Sequence, residues 1–173
     1  LYNSTDGANW TDNTGWLGEA GTECSWFGVT CSNGSVSSLS ISNNALTGTI
    51  PSELGNLTNL TGLYLNNNSL SGTIPVELGN LTNLIDLRLY YNSLSGSIPV
   101  ELGNLTNLYT LYLMHNSFSG SIPTSFGNLT KLTYLSLSDN SLSGSIPVEL
   151  GNLTNLIELT ARNIKIIYKF SGL

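Results

Sequence analysis

A 24-residue unit recurs through most of this chain. GTIPSELGNLTNLTGLYLNNNSLS (48–71) is followed by GTIPVELGNLTNLIDLRLYYNSLS (72–95) and GSIPVELGNLTNLYTLYLMHNSFS (96–119). GSIPTSFGNLTKLTYLSLSDNSLS (120–143) and a shorter GSIPVELGNLTNLIELT (144–160) come next, and a partial copy, VSSLSISNNALT, begins at Val36. Such a period constrains the fold more than any other feature. One unit of this size cannot bury its own apolar side chains, so the units must stack into a solenoid or array with one continuous core.

Each part of the unit has a physical role. In one copy the apolar set is Ile74, Leu78, Leu81, Leu84, Leu87, Leu89 and Leu94. Leu87 and Leu89 alternate with Asp86, Arg88 and Tyr90, which is strand period. The leucines point inward and the other three outward. One strand per copy, stacked about 4.8 Å apart, makes a parallel sheet along one face. Asn44, Asn68, Asn92, Asn116 and Asn140 recur at one phase. A buried Asn there can bond the backbone of its own turn and of its neighbour, forming a ladder. Each Ile-Pro, from Ile50-Pro51 to Ile146-Pro147, starts the return path. Proline lacks a donor and fixes φ, which suits an edge or a first helical turn. Glu53, Glu77, Glu101 and Glu149 follow, where a helix N-terminus favours negative charge.

Charged residues are only 9% of the 173, and 5 Lys+Arg against 11 Asp+Glu leave a net charge of −6. The surface is therefore covered by Asn, Ser, Thr and Gly. A nucleic-acid partner needs a basic face and is excluded, as is docking on anionic lipid. No run reaches the roughly 18 apolar residues of a membrane span. The chain opens without Met or a signal peptide, which reads as a mature or trimmed fragment. Cys24 and Cys31 read either as a reactive or metal-binding pair or as one short disulfide. One distant histidine, His115, completes no zinc set, so we expect a disulfide, no metal and no cofactor. A disulfide places the chain in a secreted, periplasmic or cell-surface setting.

The pattern LxxLxLxxNxLxGxIPxxLGxL resembles the plant-type leucine-rich repeat. CSWFGVTC, with Trp10 and Trp16 upstream, resembles the N-terminal cap of that family. The cap has one cysteine pair where plant members commonly have two, and no cysteine-bearing C-terminal cap follows; the opening LYNSTDGANWTDNTGWLG resembles caps of bacterial and algal surface proteins with plant-type repeats more than those of receptor kinases. The resemblance runs from about Leu1 to Thr160. It implies an α/β solenoid: a right-handed superhelix with a concave parallel β-sheet, a second short strand near the Ile-Pro and short helical turns on the convex side. Residues 1–35 are then the cap with its disulfide, 36–160 six repeats and 161–173 an atypical C-terminal segment, all within one structural domain. The resemblance also implies binding of proteins, peptides or glycans, and no catalysis.

Beyond Leu159 the pattern breaks. Ala161 stands where a core Leu belongs, and Ile164 where the ladder Asn belongs. Ile164, Ile166, Tyr168 and Phe170 alternate with Lys165 and Lys169. This spacing predicts that residues 163–170 fold over the open end as an improvised cap. Pairing with the same segment of a second chain, giving a homodimer, is the alternative, and a disordered tail is the third.

Near-identical copies make the differences informative. They concentrate at the outward strand positions: Ser38/Ser40/Ser42, Gly62/Tyr64/Asn66, Asp86/Arg88/Tyr90, Thr110/Tyr112/Met114, Tyr134/Ser136/Ser138 and Glu158/Thr160/Arg162. Tyr91, Tyr109, His115 and Asp139 lie at the strand ends. The candidate ligand-binding set is Tyr64, Asp86, Arg88, Tyr90, Tyr91, Tyr109, Tyr112, Met114, His115 and Tyr134. Tyrosine supplies rigid contact area with a polar tip, and Arg88 is placed to stack on Tyr64 or Tyr112. Good strand propensity on an exposed sheet is the plainer explanation for these tyrosines. His115 beside Asp139 resembles a base with an orienting acid, but the strand pattern sets no nucleophile beside them. We read no catalytic residue and no enzyme. The expected function is recognition of a protein, peptide or glycan on the concave face. A structural or adhesive spacer without a discrete site is the alternative, and ice binding by convex Thr, Ser and Asn rows a weaker one. Ten N-x-[ST] sequons include the Asn-Leu-Thr of every repeat; we expect those Asn to satisfy backbone groups.

Overall fold

The computed structural model describes residues 1–161 and the backbone of Lys165–Ile166. Strands are numbered in chain order. The first sheet holds β1 (Val29–Ser32), β2 (Ser35–Ser40), β3 (Gly62–Tyr64), β5 (Asp86–Arg88), β7 (Thr110–Tyr112), β9 (Tyr134–Ser136) and β11 (Glu158–Thr160). The second holds β4 (Ser71–Gly72), β6 (Ser93–Ser97), β8 (Ser117–Gly120), β10 (Ser141–Gly144) and β12 (Lys165–Ile166). Except for the antiparallel β1–β2 hairpin of the cap, every pairing is parallel. Between the sheets lie five single turns of 3₁₀ helix: Ser52–Asn56, Val76–Asn80, Val100–Asn104, Thr124–Asn128 and Val148–Asn152.

The repeat sets the register. Leu39, Leu63, Leu87, Leu111, Leu135 and Leu159 are paired in one row. Leu63, Leu87, Leu111 and Leu135 are fully buried, and so are Leu84, Leu89, Leu94 and their counterparts in the copies between residues 48 and 143. One apolar cluster runs from Trp10 to Leu153. Leu159 remains 40% exposed.

The turns are 3₁₀ rather than α because only five residues separate each Pro from the Leu that ends the turn, as Pro75 from Leu81. Pro75 precedes its turn with φ −62 and ψ 136, and Leu81 ends it at φ −78 and ψ 55. So short a turn sums few peptide dipoles, which weakens the argument for Glu77 and Glu101 at its start. The glycine inside each turn is required for a different reason. A Cβ on Gly79 would lie 2.6 Å from the Glu101 carbonyl oxygen of the next turn. Absence of a side chain there sets how closely successive copies stack.

The asparagine ladder forms as expected. Asn92 Oδ1 accepts from the Leu70 N–H at 3.0 Å, and its Nδ2 donates to the Leu65 and Leu89 carbonyls, each at 3.0 Å. Asn68, Asn116 and Asn140 repeat this geometry. Asn44, the first rung, reaches the cap: it accepts from Asp12 N–H at 2.7 Å and donates to Asp12 O at 2.8 Å.

The cap closes the first end of the core. Trp10 is buried and donates its indole N–H to the Thr5 carbonyl at 2.8 Å. Trp16 packs against it at 4.9 Å, and Trp26 against Trp16 at 5.2 Å between ring centroids. Cys24 and Cys31 are disulfide-bonded, tying the turn at Glu23–Ser25 to β1. At the other end only the Lys165–Ile166 backbone is described. It pairs in parallel with β10, Ser143 opposite Lys165 and Gly144 opposite Ile166. That extends the second sheet by one rung. The expected folding of residues 163–170 over the end otherwise lies outside the described residues.

Candidate functional site

The strands of the first sheet are in register, so their outward residues form rows. Ser40, Tyr64, Arg88, Tyr112, Ser136 and Thr160 make one row. In that row the Arg88 guanidinium carbon lies 5.4 Å from the Tyr64 ring centroid and 5.7 Å from that of Tyr112. It stacks between both rings rather than on one. Asp86, two residues back on the same strand, holds it from the side: Nε donates to Oδ1 at 3.0 Å and Nη2 to Oδ2 at 2.8 Å. Burial raises the Tyr64 phenol pKa, and the Asp86 carboxylate adds to this. Burial also raises that of Tyr112, with Glu158 adding. The hydrogen bonds that Arg88 donates to the Asp86 carboxylate raise the Arg88 pKa. The row is thus a layer of neutral phenols around an internally paired charge.

From Tyr112 the aromatic surface continues to Tyr90 at 6.2 Å, from Tyr90 to Tyr91 at 5.8 Å, and from Tyr91 to His115. The Tyr91 and His115 rings are stacked, 4.1 Å apart and 8° from parallel. His115 Nε2 then faces Asp139 Oδ2 at 3.5 Å. Tyr64, Asp86, Arg88, Tyr90, Tyr91, Tyr112 and His115 therefore form one connected surface. Tyr109 and Tyr134 do not join it. They pair edge to face at 5.5 Å, at the starting ends of the strands. Met114 sits half-buried on the outward side.

One property of this surface was not anticipated. Asn43, Asn67, Tyr91, His115 and Asp139 occupy the same position in successive repeats, and all are left-handed, with φ between 51° and 54°. Asn and Asp tolerate that region, but for a bulky residue it is an outlier. His is tolerated there as well, so Tyr91 is the residue that does not suit it. Its conformational cost, about 1–3 kcal/mol, is met within the aromatic surface. The signal was present in the sequence, because the column reads Asn43, Asn67, Tyr91, His115 and Asp139, but only the backbone reveals why Tyr91 misfits.

The sequon asparagines correct an expectation. Asn56, Asn80, Asn104, Asn128 and Asn152 are exposed at the ends of the 3₁₀ turns. Among the described residues their side chains satisfy no backbone group. The backbone does the turning: the Thr82 N–H bonds the Asn80 carbonyl at 2.9 Å, and Thr106, Thr130 and Thr154 repeat this. The asparagines three residues on carry the bridging instead. Asn83 Nδ2 donates to Thr58 O, and Asn107 Nδ2 to Thr82 O, each at 2.9 Å.

Among the described residues no group of three or more His, Cys, Asp or Glu could hold a metal ion. No described helix is long and apolar enough to cross a membrane.

Comparison with known proteins agrees with this geometry. Profiles described as leucine rich repeat match residues 35–57, 59–81, 83–105 and 106–164. No curated protein matches the chain. Among solved structures it is similar to the ectodomain of the Arabidopsis thaliana receptor kinase GASSHO1/SCHENGEN3, solved in complex with CASPARIAN STRIP INTEGRITY FACTOR 2. That match has 40% identity and a TM-score of 0.81 over 83% of this chain and 18% of that one. It is similar to PEPR1 in the PEPR1–AtPEP1 structure, with 33% identity and a TM-score of 0.84 over 96% of this chain and 25% of the other. It is also similar to a plant ice-binding protein, with 32% identity and a TM-score of 0.87 over 96% of this chain and 54% of that one. The chain thus spans a quarter or less of the two receptors and about half of the ice-binding protein. Profiles across most of its length, the stacked in-register strands and the asparagine ladder agree: the chain belongs to the leucine-rich-repeat family.

Proposed function

We propose that this chain is an extracellular recognition module that binds a protein, peptide or glycan on the outward face of its first sheet, the concave face of the solenoid. The observation that carries this is the connected surface from Tyr64 through Arg88, Tyr112, Tyr90 and Tyr91 to His115. Repeats that otherwise copy one another depart from the copy there, and one of the departures, Tyr91, sits in strained backbone. Strand propensity explains a Tyr on a strand but not a Tyr in a left-handed turn. The GASSHO1/SCHENGEN3 ectodomain and PEPR1, to which this chain is similar, were solved with CASPARIAN STRIP INTEGRITY FACTOR 2 and with AtPEP1, which supports a recognition role. The disulfide and these relatives support a secreted or cell-surface location. A binding screen over peptides, glycans and secreted proteins tests the reading, with Arg88→Ala and Tyr112→Ala as controls. We expect each control to lose about 1–3 kcal/mol of affinity with its melting temperature preserved. A partner held with undiminished affinity by both variants would contradict it.

Ice binding is the second reading, supported by the likeness to the plant ice-binding protein. The second sheet presents two columns of exposed hydroxyls, Thr49, Thr73, Ser97 and Ser121, and Ser69, Ser93, Ser117 and Ser141. Thermal hysteresis tests it, and its absence at high protein concentration would remove it.

A further inference from the structure

A groove of about 640 Å³ runs along the flank of the first sheet, where its strands begin. Its walls are two rows of residues from successive repeats. Asn59, Asn83, Asn107 and Lys131 form one row, and Thr61, Ile85 and Tyr109 the other. Backbone bonds hold the second row in line: Ile85 N–H to Thr61 O, Tyr109 N–H to Ile85 O and Thr133 N–H to Tyr109 O, at 2.8–2.9 Å. The groove therefore crosses the strands and meets each repeat in turn.

Its chemistry is specific. Ile85 and Tyr109 are 47% and 45% exposed, while the same position in neighbouring repeats holds Thr61 and Thr133. The copied unit thus acquires an aliphatic and an aromatic platform where it opens to solvent. Opposite them, Asn83 uses its Nδ2 on Thr58, and among the described residues its Oδ1 accepts no bond. Asn59 makes no side-chain bond at all among the described residues. Lys131 donates to Asn107 Oδ1 at 2.7 Å and, among the described residues, forms no ion pair with a carboxylate. The groove so offers spaced amide donors and acceptors beside flat apolar surface.

The geometry points to an extended, neutral, β-linked oligosaccharide as the occupant. Sugar hydroxyls match amides that both donate and accept, and the C–H face of a pyranose ring matches the flat apolar face of Tyr109. Strands about 4.8 Å apart repeat the amide at a spacing comparable with one sugar unit of an extended chain. A polyanion is disfavoured by the net charge of −6 and by a groove whose walls carry one cation, Lys131, while Arg88 is already held by Asp86. A polycation finds no carboxylate in the walls. Tyr109 of the groove pairs with Tyr134, which stands on β9 of the first sheet. The inference thus deepens the recognition reading and rests on it for the class of function, but not for its residues.

Titration of the full chain with cellohexaose, xylohexaose and mannohexaose, followed by NMR shifts and calorimetry, tests this. We expect at least one of these to bind with a dissociation constant of about 0.1–1 mM. Tyr109→Thr and Ile85→Thr install the residue that neighbouring repeats carry, so both should fold. Each should weaken the sugar by about tenfold or more. Val100→Thr, on the opposite side of the repeat, should leave it unchanged. No binding of any of the three sugars, or full affinity in both groove variants, would overturn the groove. Loss of sugar affinity in Arg88→Ala but not in Tyr109→Thr would also overturn it, and would leave the concave-face reading standing.

Discussion

Tyr91 separates stability from function most sharply. Asn at the same position in two other repeats adopts the left-handed turn with little strain. Tyr91→Asn should therefore raise stability by about 0.5–1 kcal/mol, even after the stacked pair is lost, and should weaken ligand binding. Thermal denaturation beside a binding assay checks both signs; a destabilised Tyr91→Asn would mean that ring stacking outweighs backbone strain. Asn92 behaves oppositely. It serves one N–H and two carbonyls inside the solenoid, so Asn92→Ala leaves buried groups without partners. A loss of about 2–4 kcal/mol by denaturant unfolding is expected. The raised phenol pKa values of Tyr64 and Tyr112 have a definite sign. These phenols keep their protons longer in the folded state than in the unfolded one. Their contribution is complete below the ordinary tyrosine pKa of about 10 and is lost as pH rises through the folded values. Stability from this source should be flat across neutral pH and fall only under alkaline conditions.

Strands and ladder were legible before any coordinates because a fixed period lets one copy explain the others. Leu87 and Leu89 against Asp86, Arg88 and Tyr90 are enough to place the sheet. The turns were less legible. Pro75 and Glu77 read equally well as a short α-helix or a single 3₁₀ turn, and chain length, not propensity, decides between them. Of the candidate surface, the Tyr64–Arg88–Tyr112 row was readable from register alone. The separation of Tyr109 and Tyr134 from it was not, because which end of a three-residue strand a side chain faces depends on the bends at each end. The flank row Asn59–Asn83–Asn107 was hidden inside a motif that reads as repeat punctuation. Gly79 was hidden likewise, and a Cβ there would meet backbone of the adjacent turn. Gly79→Ala should cost about 1–3 kcal/mol, and still more at two consecutive turns if the stack must open. In the cap, Cys24→Ser with Cys31→Ser should cost about 2–3 kcal/mol, read as a lower denaturant midpoint relative to the oxidised protein.

At the scale of the whole molecule, the fold assigns different work to different sides. The core is nearly invariant from copy to copy, the turns set the stacking distance, and variation is released onto one sheet and its flank. A solenoid of this kind is held by nearest-neighbour contacts, so side chains can change on one face without disturbing the leucines behind it. The central claim is that this freedom has been used for recognition on the first sheet. Hydrogen exchange of the chain with and without a partner recovered from the binding screen tests it most directly. The account predicts slowed exchange in β3, β5 and β7 and in the turns at Tyr91 and His115, with the 3₁₀ turns from Val76–Asn80 to Val148–Asn152 unchanged. Protection confined to those turns or to the second sheet, with β5 and β7 unaffected, would contradict it.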